Sequence, residues 1–159
     1  MKLNTAINTI KRTYGIELLL KVVYNYASEI VCKDLGIAVP EYGFYNNSNS
    51  KTAGFYNYKS KNVGLNIAAI KPMLDDVITI SDANKFMNKV VDMIAHELRH
   101  AYQDSKGLID PANYTSVYDN FEGYWNDDLE VDARRYAQQN TLGIVFEITK
   151  DVIGIAECM

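Results

Sequence analysis

Apolar positions recur every three or four residues along most of this chain, and one stretch in the first half breaks the rhythm. Leu3, Ile7 and Ile10 mark a short helix over 2–12. Beyond Gly15, Leu19, Leu20, Val23, Tyr24, Ala27, Ile30 and Val31 form a longer stripe, which predicts a helix over 16–35 ending at Gly36. Residues 37–70 change character. Tyr42, Phe44, Tyr45, Phe55, Tyr56 and Tyr58 favour extended backbone and are interleaved with Asn, Ser and Gly. Strands are expected at 38–46, 53–59 and 62–68, with a loop over 46–50 and a tight hairpin turn at Ser60-Lys61. Pro72 closes the sheet region, and a short helix is expected over 73–79.

The helical period then returns. Phe86, Val90, Val91, Ile94, Leu98 and Tyr102 make an apolar stripe that no Pro or Gly interrupts. Ser81 and Asp82 read as start signals and Gly107 as a stop, so the helix is placed over 83–105. Residues 107–125 form a loop rich in Tyr, Asp, Asn and Gly, and so many aromatics imply that it packs down. A further helix is expected over 127–141, with Asn126 or Asp127 as N-cap and Gly143 as stop. Residues 144–159 are apolar every three or four positions and read as a last helix. The pattern predicts an α+β fold, with a small antiparallel or mixed sheet packed on helices. At 159 residues it suits a single domain over 1–159.

Composition narrows the function classes. The chain is 48% apolar and 23% charged, ordinary for a folded domain with a core. A net charge of −4 speaks against nucleic acid as a partner, and the aromatic run reads as sheet packing rather than base stacking. No apolar stretch is long enough to span a bilayer, and the polar face of 16–35 lacks the Lys/Arg excess of a membrane-surface helix. The N-terminal residues do not read as a secretory signal. Cys32 and Cys158 are far apart and in no metal-ligand spacing, which fits a reduced, cytoplasmic protein.

The chemistry lies in His96-Glu97-Leu98-Arg99-His100. On a helix, His96 and His100 stand one turn apart on one face, about 6 Å along the axis. Two imidazoles so placed bind one zinc ion from the same side, and Glu97 beside them reaches the water that the metal activates. Zinc in a hydrolase takes three protein ligands and keeps one position open. The chain has two histidines and both are in this motif, so the third ligand is an oxygen or a thiolate. Glu130 is the best candidate, with Asp132 and Glu122 as alternatives. Ala133 and Ala137 continue the Glu130 face and would let that helix approach the first closely. Tyr114, Tyr118 and Tyr124, between the two helices, are candidates to hydrogen-bond an oxyanion. Asp104, one turn beyond His100, either orients an imidazole or is an exposed helical carboxylate, and the exposed reading is preferred. Arg134 and Arg135 either hold a substrate carboxylate or are simply solvated, the default for Arg.

HELRH followed by LEVDARRYA resembles the gluzincin branch of zinc metallopeptidases, in which one helix carries HExxH and a following helix supplies a glutamate ligand. Glu130, Ala133 and Tyr136-Ala137 are similar to the ImmA/IrrE-like group of bacterial and phage metallopeptidases. The likeness covers roughly residues 40–140. Arg99 stands where that group prefers Gly, the Leu-Leu-x-Pro after the second helix is missing, and no helix-turn-helix is seen. The resemblance implies a zincin-like peptidase acting on a peptide or protein, with Asn62 to Ala68 as an edge strand bordering the cleft. The alternative keeps the zinc as a structural ion in a regulatory or protein-binding module. A phage or mobile-element accessory protein is compatible with either.

Overall fold

Gly15 takes φ 86 and ψ 175, a conformation closed to residues with a side chain, and there the N-terminal helical stretch turns. The computed structural model describes residues 1–50, 52–110 and 121–159. Helix α1 (Leu3–Leu35) is thus two helices joined at Gly15, as the two apolar stripes require, and Gly36 closes it in the left-handed conformation. Strands β1 (Glu41–Tyr45), β2 (Gly54–Asn57) and β3 (Asn62–Asn66) follow, then helices α2 (Ile67–Asp75), α3 (Ile80–Ser105), α4 (Phe121–Asn126) and α5 (Asp128–Glu157). The fold is α+β, five helices and one three-stranded mixed sheet among the described residues.

The sheet runs in the order β1-β3-β2, with β1 parallel and β2 antiparallel to β3. The strand over 62–66 is therefore central, not the edge implied by the resemblance. The strand that packs against α3 is β2. Two devices hold this region in register. In the hairpin, the Asn57 carboxamide accepts from the backbone N–H groups of Lys59 and Ser60, and Lys61 takes the left-handed conformation at φ 56. Asn66, fully buried, donates to the carbonyls of Asn47 and Thr52 at 3.0 Å and accepts from the Asn47 N–H at 3.1 Å. Its side chain thereby fixes the loop that leads into β2.

Four element boundaries depart markedly from the sequence reading; one is that Phe121–Asn126, expected within a loop, is helix α4, while 111–120 of that loop lie outside the described residues. The strand expected over 62–68 ends at Asn66, and Ile67 opens α2, so Pro72 lies inside a helix rather than before one. Burial of Ile70 and Leu74 on one helical face offsets the hydrogen bond that Pro72 cannot make. Helix α3 starts at Ile80, where Thr79 and Asp82 cap each other's backbone in a capping box, so Asp82 is the third residue of the helix and not its lead-in. Gly143 does not stop α5, which runs on to Glu157. Thr141, Ile144, Val145, Ile148 and Val152 are all buried, and that continuous face outweighs the cost of about 1 kcal/mol for a helical Gly.

The core lies where α1, α3 and α5 meet, closed by Val63 and Leu65 from β3. Ala133 and Ala137 are buried at the α3–α5 contact, as expected for close approach. Cys32 is buried, Cys158 is exposed, and neither forms a disulfide. No helix among the described residues is long and apolar enough to cross a membrane.

Candidate metal centre

The stripe of Val90, Val91, Ile94 and Leu98 roots α3 in the core and turns a polar face toward α5 and β2. His96, Glu97, His100 and Gln103 lie on that face; Glu97, His100 and Gln103 are buried. Glu130 comes from the first turn of α5. Asp127 caps that turn by accepting from the backbone N–H of Leu129 and of Glu130, which fixes where the Glu130 side chain starts.

These elements bring three side chains to one point. The Nε2 atoms of His96 and His100 are 3.0 Å apart. One oxygen of Glu130 lies 3.2 Å from His96 Nε2 and the other 3.2 Å from His100 Nε2. Two donors bound to one tetrahedral zinc at 2.0–2.1 Å stand about 3.3 Å apart, so the spacing suits a shared ion. The Glu130 carboxylate is only 1% exposed, and its Oε2 makes no hydrogen bond despite its closeness to His96. A buried carboxylate is costly unless cations surround it; Arg134 Nη1, 3.9 Å from Oε2, is one, and a metal ion shared with the two imidazoles would be another. The donor set, two imidazoles and a carboxylate, is one that zinc accepts. His96, His100 and Glu130 form the one group of three or more His, Cys, Asp or Glu side chains among the described residues that could hold a metal ion.

The group opens onto a cleft of about 400 Å³. Glu97 lines it beside the three donors, with Gly54, Phe55 and Tyr56 of β2, Tyr58 of the hairpin, and Tyr124 of α4. Tyr124 is thus in the cleft, while Tyr114 and Tyr118 lie outside the described residues. Neither alternative third ligand joins the group. Asp132 is held by Arg99 at 2.8 and 3.1 Å, and Glu122 is exposed on α4. Asp104 orients no imidazole. It accepts from Tyr56 Oη at 2.7 Å and from Lys61 Nζ, which ties the β2–β3 hairpin to α3. Arg134 is not merely solvated: it lies over the Trp125 ring at 4.0 Å and donates to the Trp125 carbonyl, whereas Arg135 is exposed. The residue that sequence reasoning missed is Gln103, whose Oε1 is 2.8 Å from His100 Nδ1. Its position three residues after His100, on the same helical face, is the signal that could have found it.

Without a metal, the His100 imidazole and the Glu130 carboxylate hold each other in their charged forms. Burial pulls the His100 imidazole down, but the bond to Glu130 and the charges of Glu97 and Glu130 outweigh it, raising it from 6.5 to about 9. Burial pushes the Glu130 carboxyl up, but the two imidazoles outweigh that and hold it well below its ordinary 4.5. The His100 contribution to stability is therefore complete below pH 6.5 and lost as pH rises through about 9. The Glu130 contribution is present above pH 4.5 and lost in more acidic solution. In chelator, the thermal midpoint is expected to fall between pH 6.5 and 9, and Glu130→Gln should flatten that fall. Equal slopes for the two proteins in a melting series would contradict the pairing.

Compared with protein-family models, with curated proteins and with solved structures, the chain shows no match.

Proposed function

We propose that this protein is a zinc-dependent peptidase of zincin-like architecture. The observation that carries the reading is the meeting of His96, His100 and Glu130 on a cleft that Glu97 also lines. A structural zinc site is closed by four protein ligands, whereas a catalytic one keeps three and leaves a position open. Three donors bordering a cleft match the second case.

In this reading His96, His100 and Glu130 hold the ion. Bound there, zinc makes water a nucleophile near neutral pH and polarises the carbonyl it attacks. Glu97 accepts the proton from the attacking water and delivers it to the leaving amine. Tyr124, which lines the cleft, is the candidate donor to the oxyanion in this mechanism.

Among the described residues no strand pairs with the outer edge of β2, and that edge supports an extended peptide as substrate. The Asn66 N–H donates to the Ala53 carbonyl, so Ala53 and Asn66 form a hydrogen-bonded pair. In an antiparallel ladder such pairs alternate with pairs whose polar groups face away. With Gly54 opposite Leu65 and Tyr56 opposite Val63, the backbone groups of Gly54 and Tyr56 face away from β3. Both residues line the cleft. A substrate strand laid there gains main-chain hydrogen bonds on the side where Glu97 lies. The test is cleavage of a broad peptide library by zinc-loaded protein, with Glu97→Gln as the inactive control. A zinc-loaded wild type that cleaves nothing would favour a non-catalytic zinc module.

A further inference from the structure

Gln103 makes three hydrogen bonds with one carboxamide, and together they leave it a single orientation. Its Nε2 lies 2.9 Å from the Leu129 carbonyl and 2.8 Å from Asp132 Oδ2. Both are acceptors, so the nitrogen end of the amide belongs there. Asp132 cannot turn away, because Arg99 grips both its oxygens at 2.8 and 3.1 Å. Arg99 in turn lies over the rings of Tyr102 and Tyr136, at 4.5 and 5.2 Å. The oxygen end of Gln103 therefore faces His100 Nδ1 at 2.8 Å. An amide oxygen only accepts, so His100 Nδ1 carries the hydrogen. The neutral ring then has its lone pair on Nε2, the atom that meets His96 and Glu130. Flipping the amide would set its oxygen against two acceptors and its N–H groups against Nδ1.

We propose that Gln103 is a positioning residue for the metal centre, fixing His100 as the Nδ1–H tautomer with Nε2 free to bind the ion, and that the Arg99–Asp132 pair keeps its amide from flipping. The proposal rests on the metal reading above and extends it to residues outside the donor set. It also gives Arg99, inside the HExxH stretch, a specific task. Leu129 and Asp132 flank Glu130 on α5, so the same amide also ties that helix to α3. A test must separate this tie from the acceptor role.

Two variants do so. Gln103→Met is close in volume and has neither acceptor nor donor. Gln103→Glu, made in an Asp132→Asn background so that its second oxygen does not face a carboxylate, loses the donors to α5 but keeps an oxygen for His100 Nδ1–H. Zinc affinity is measured by competition with a chromogenic chelator, and folding by circular dichroism of the metal-free proteins. Loss of such an outer hydrogen bond typically weakens metal binding by about 10- to 100-fold. Gln103→Met is expected to fall in that range, and Gln103→Glu to bind about tenfold tighter than Gln103→Met. In nitrogen-correlated proton spectra of the zinc-loaded proteins, wild type and Gln103→Glu should show a slowly exchanging His100 Nδ1–H that Gln103→Met lacks. A folded Gln103→Met with wild-type affinity and a retained Nδ1–H signal would overturn the proposal. A folded Gln103→Met that bound zinc weakly yet kept the Nδ1–H signal would also overturn it, leaving Gln103 only a tie between helices. A wild type that binds no zinc would overturn the metal reading itself, and this inference with it.

Discussion

Glu97→Gln should keep zinc bound and the fold intact while lowering peptide turnover by about 10² to 10⁴ or more, the scale of general acid–base catalysis. The substitution preserves size and removes only the basic oxygen. Glu97 is 8% exposed and lines the cleft beside the donors, yet it is not one of the three side chains that meet. In the proposed mechanism its task is on the proton and not on the ion. The effect belongs in kcat, read on any peptide that the wild type cleaves, with zinc content measured on the same samples. If Glu97→Gln lost zinc, Glu97 would be a ligand or a structural residue. If it kept full turnover, another base would have to do its work.

Glu130→Ala should do the reverse, removing the ion and with it any stability the ion confers. The Glu130 oxygens stand 3.2 Å from both imidazoles, so this one change leaves two ligands where three are needed. A ligand at 100 times its Kd stabilises the folded state by about 2.7 kcal/mol, which for a chain of this length raises the melting temperature by roughly 5 to 10 °C. Zinc should produce such a shift in the wild type and little or none in Glu130→Ala. Glu122→Ala, changing an exposed carboxylate outside the group, should keep the full response. A Glu130→Ala variant that still responded as the wild type does would remove Glu130 from the donor set.

The parts of this protein that were legible in sequence are those whose signals are local. The α3 stripe repeats without interruption, so its helix and the spacing of His96 and His100 follow from periodicity alone. Gly15 and Gly36 mark real breaks because each takes a positive φ. Gly143 carries the same letter and marks nothing, because the face of α5 on either side of it is held in the core. Sheet order was beyond local reading: β3 is central because β1 reaches it in parallel, a pairing that depends on how the chain crosses over. The donors were visible because each bears a metal-binding group. Gln103 was not, because a neutral amide acquires meaning only when Asp132, Leu129 and His100 surround it.

His96, His100 and Glu130 are proposed to share one metal ion. The most direct test is a zinc titration of metal-free wild type and of His100→Ala at neutral pH, with bound metal counted by elemental analysis after gel filtration. About one zinc per wild-type chain is expected, retained through the column, and far less in His100→Ala. A wild type that stays well below one zinc per chain after loading, or a His100→Ala variant that holds as much as the wild type, would contradict that proposal.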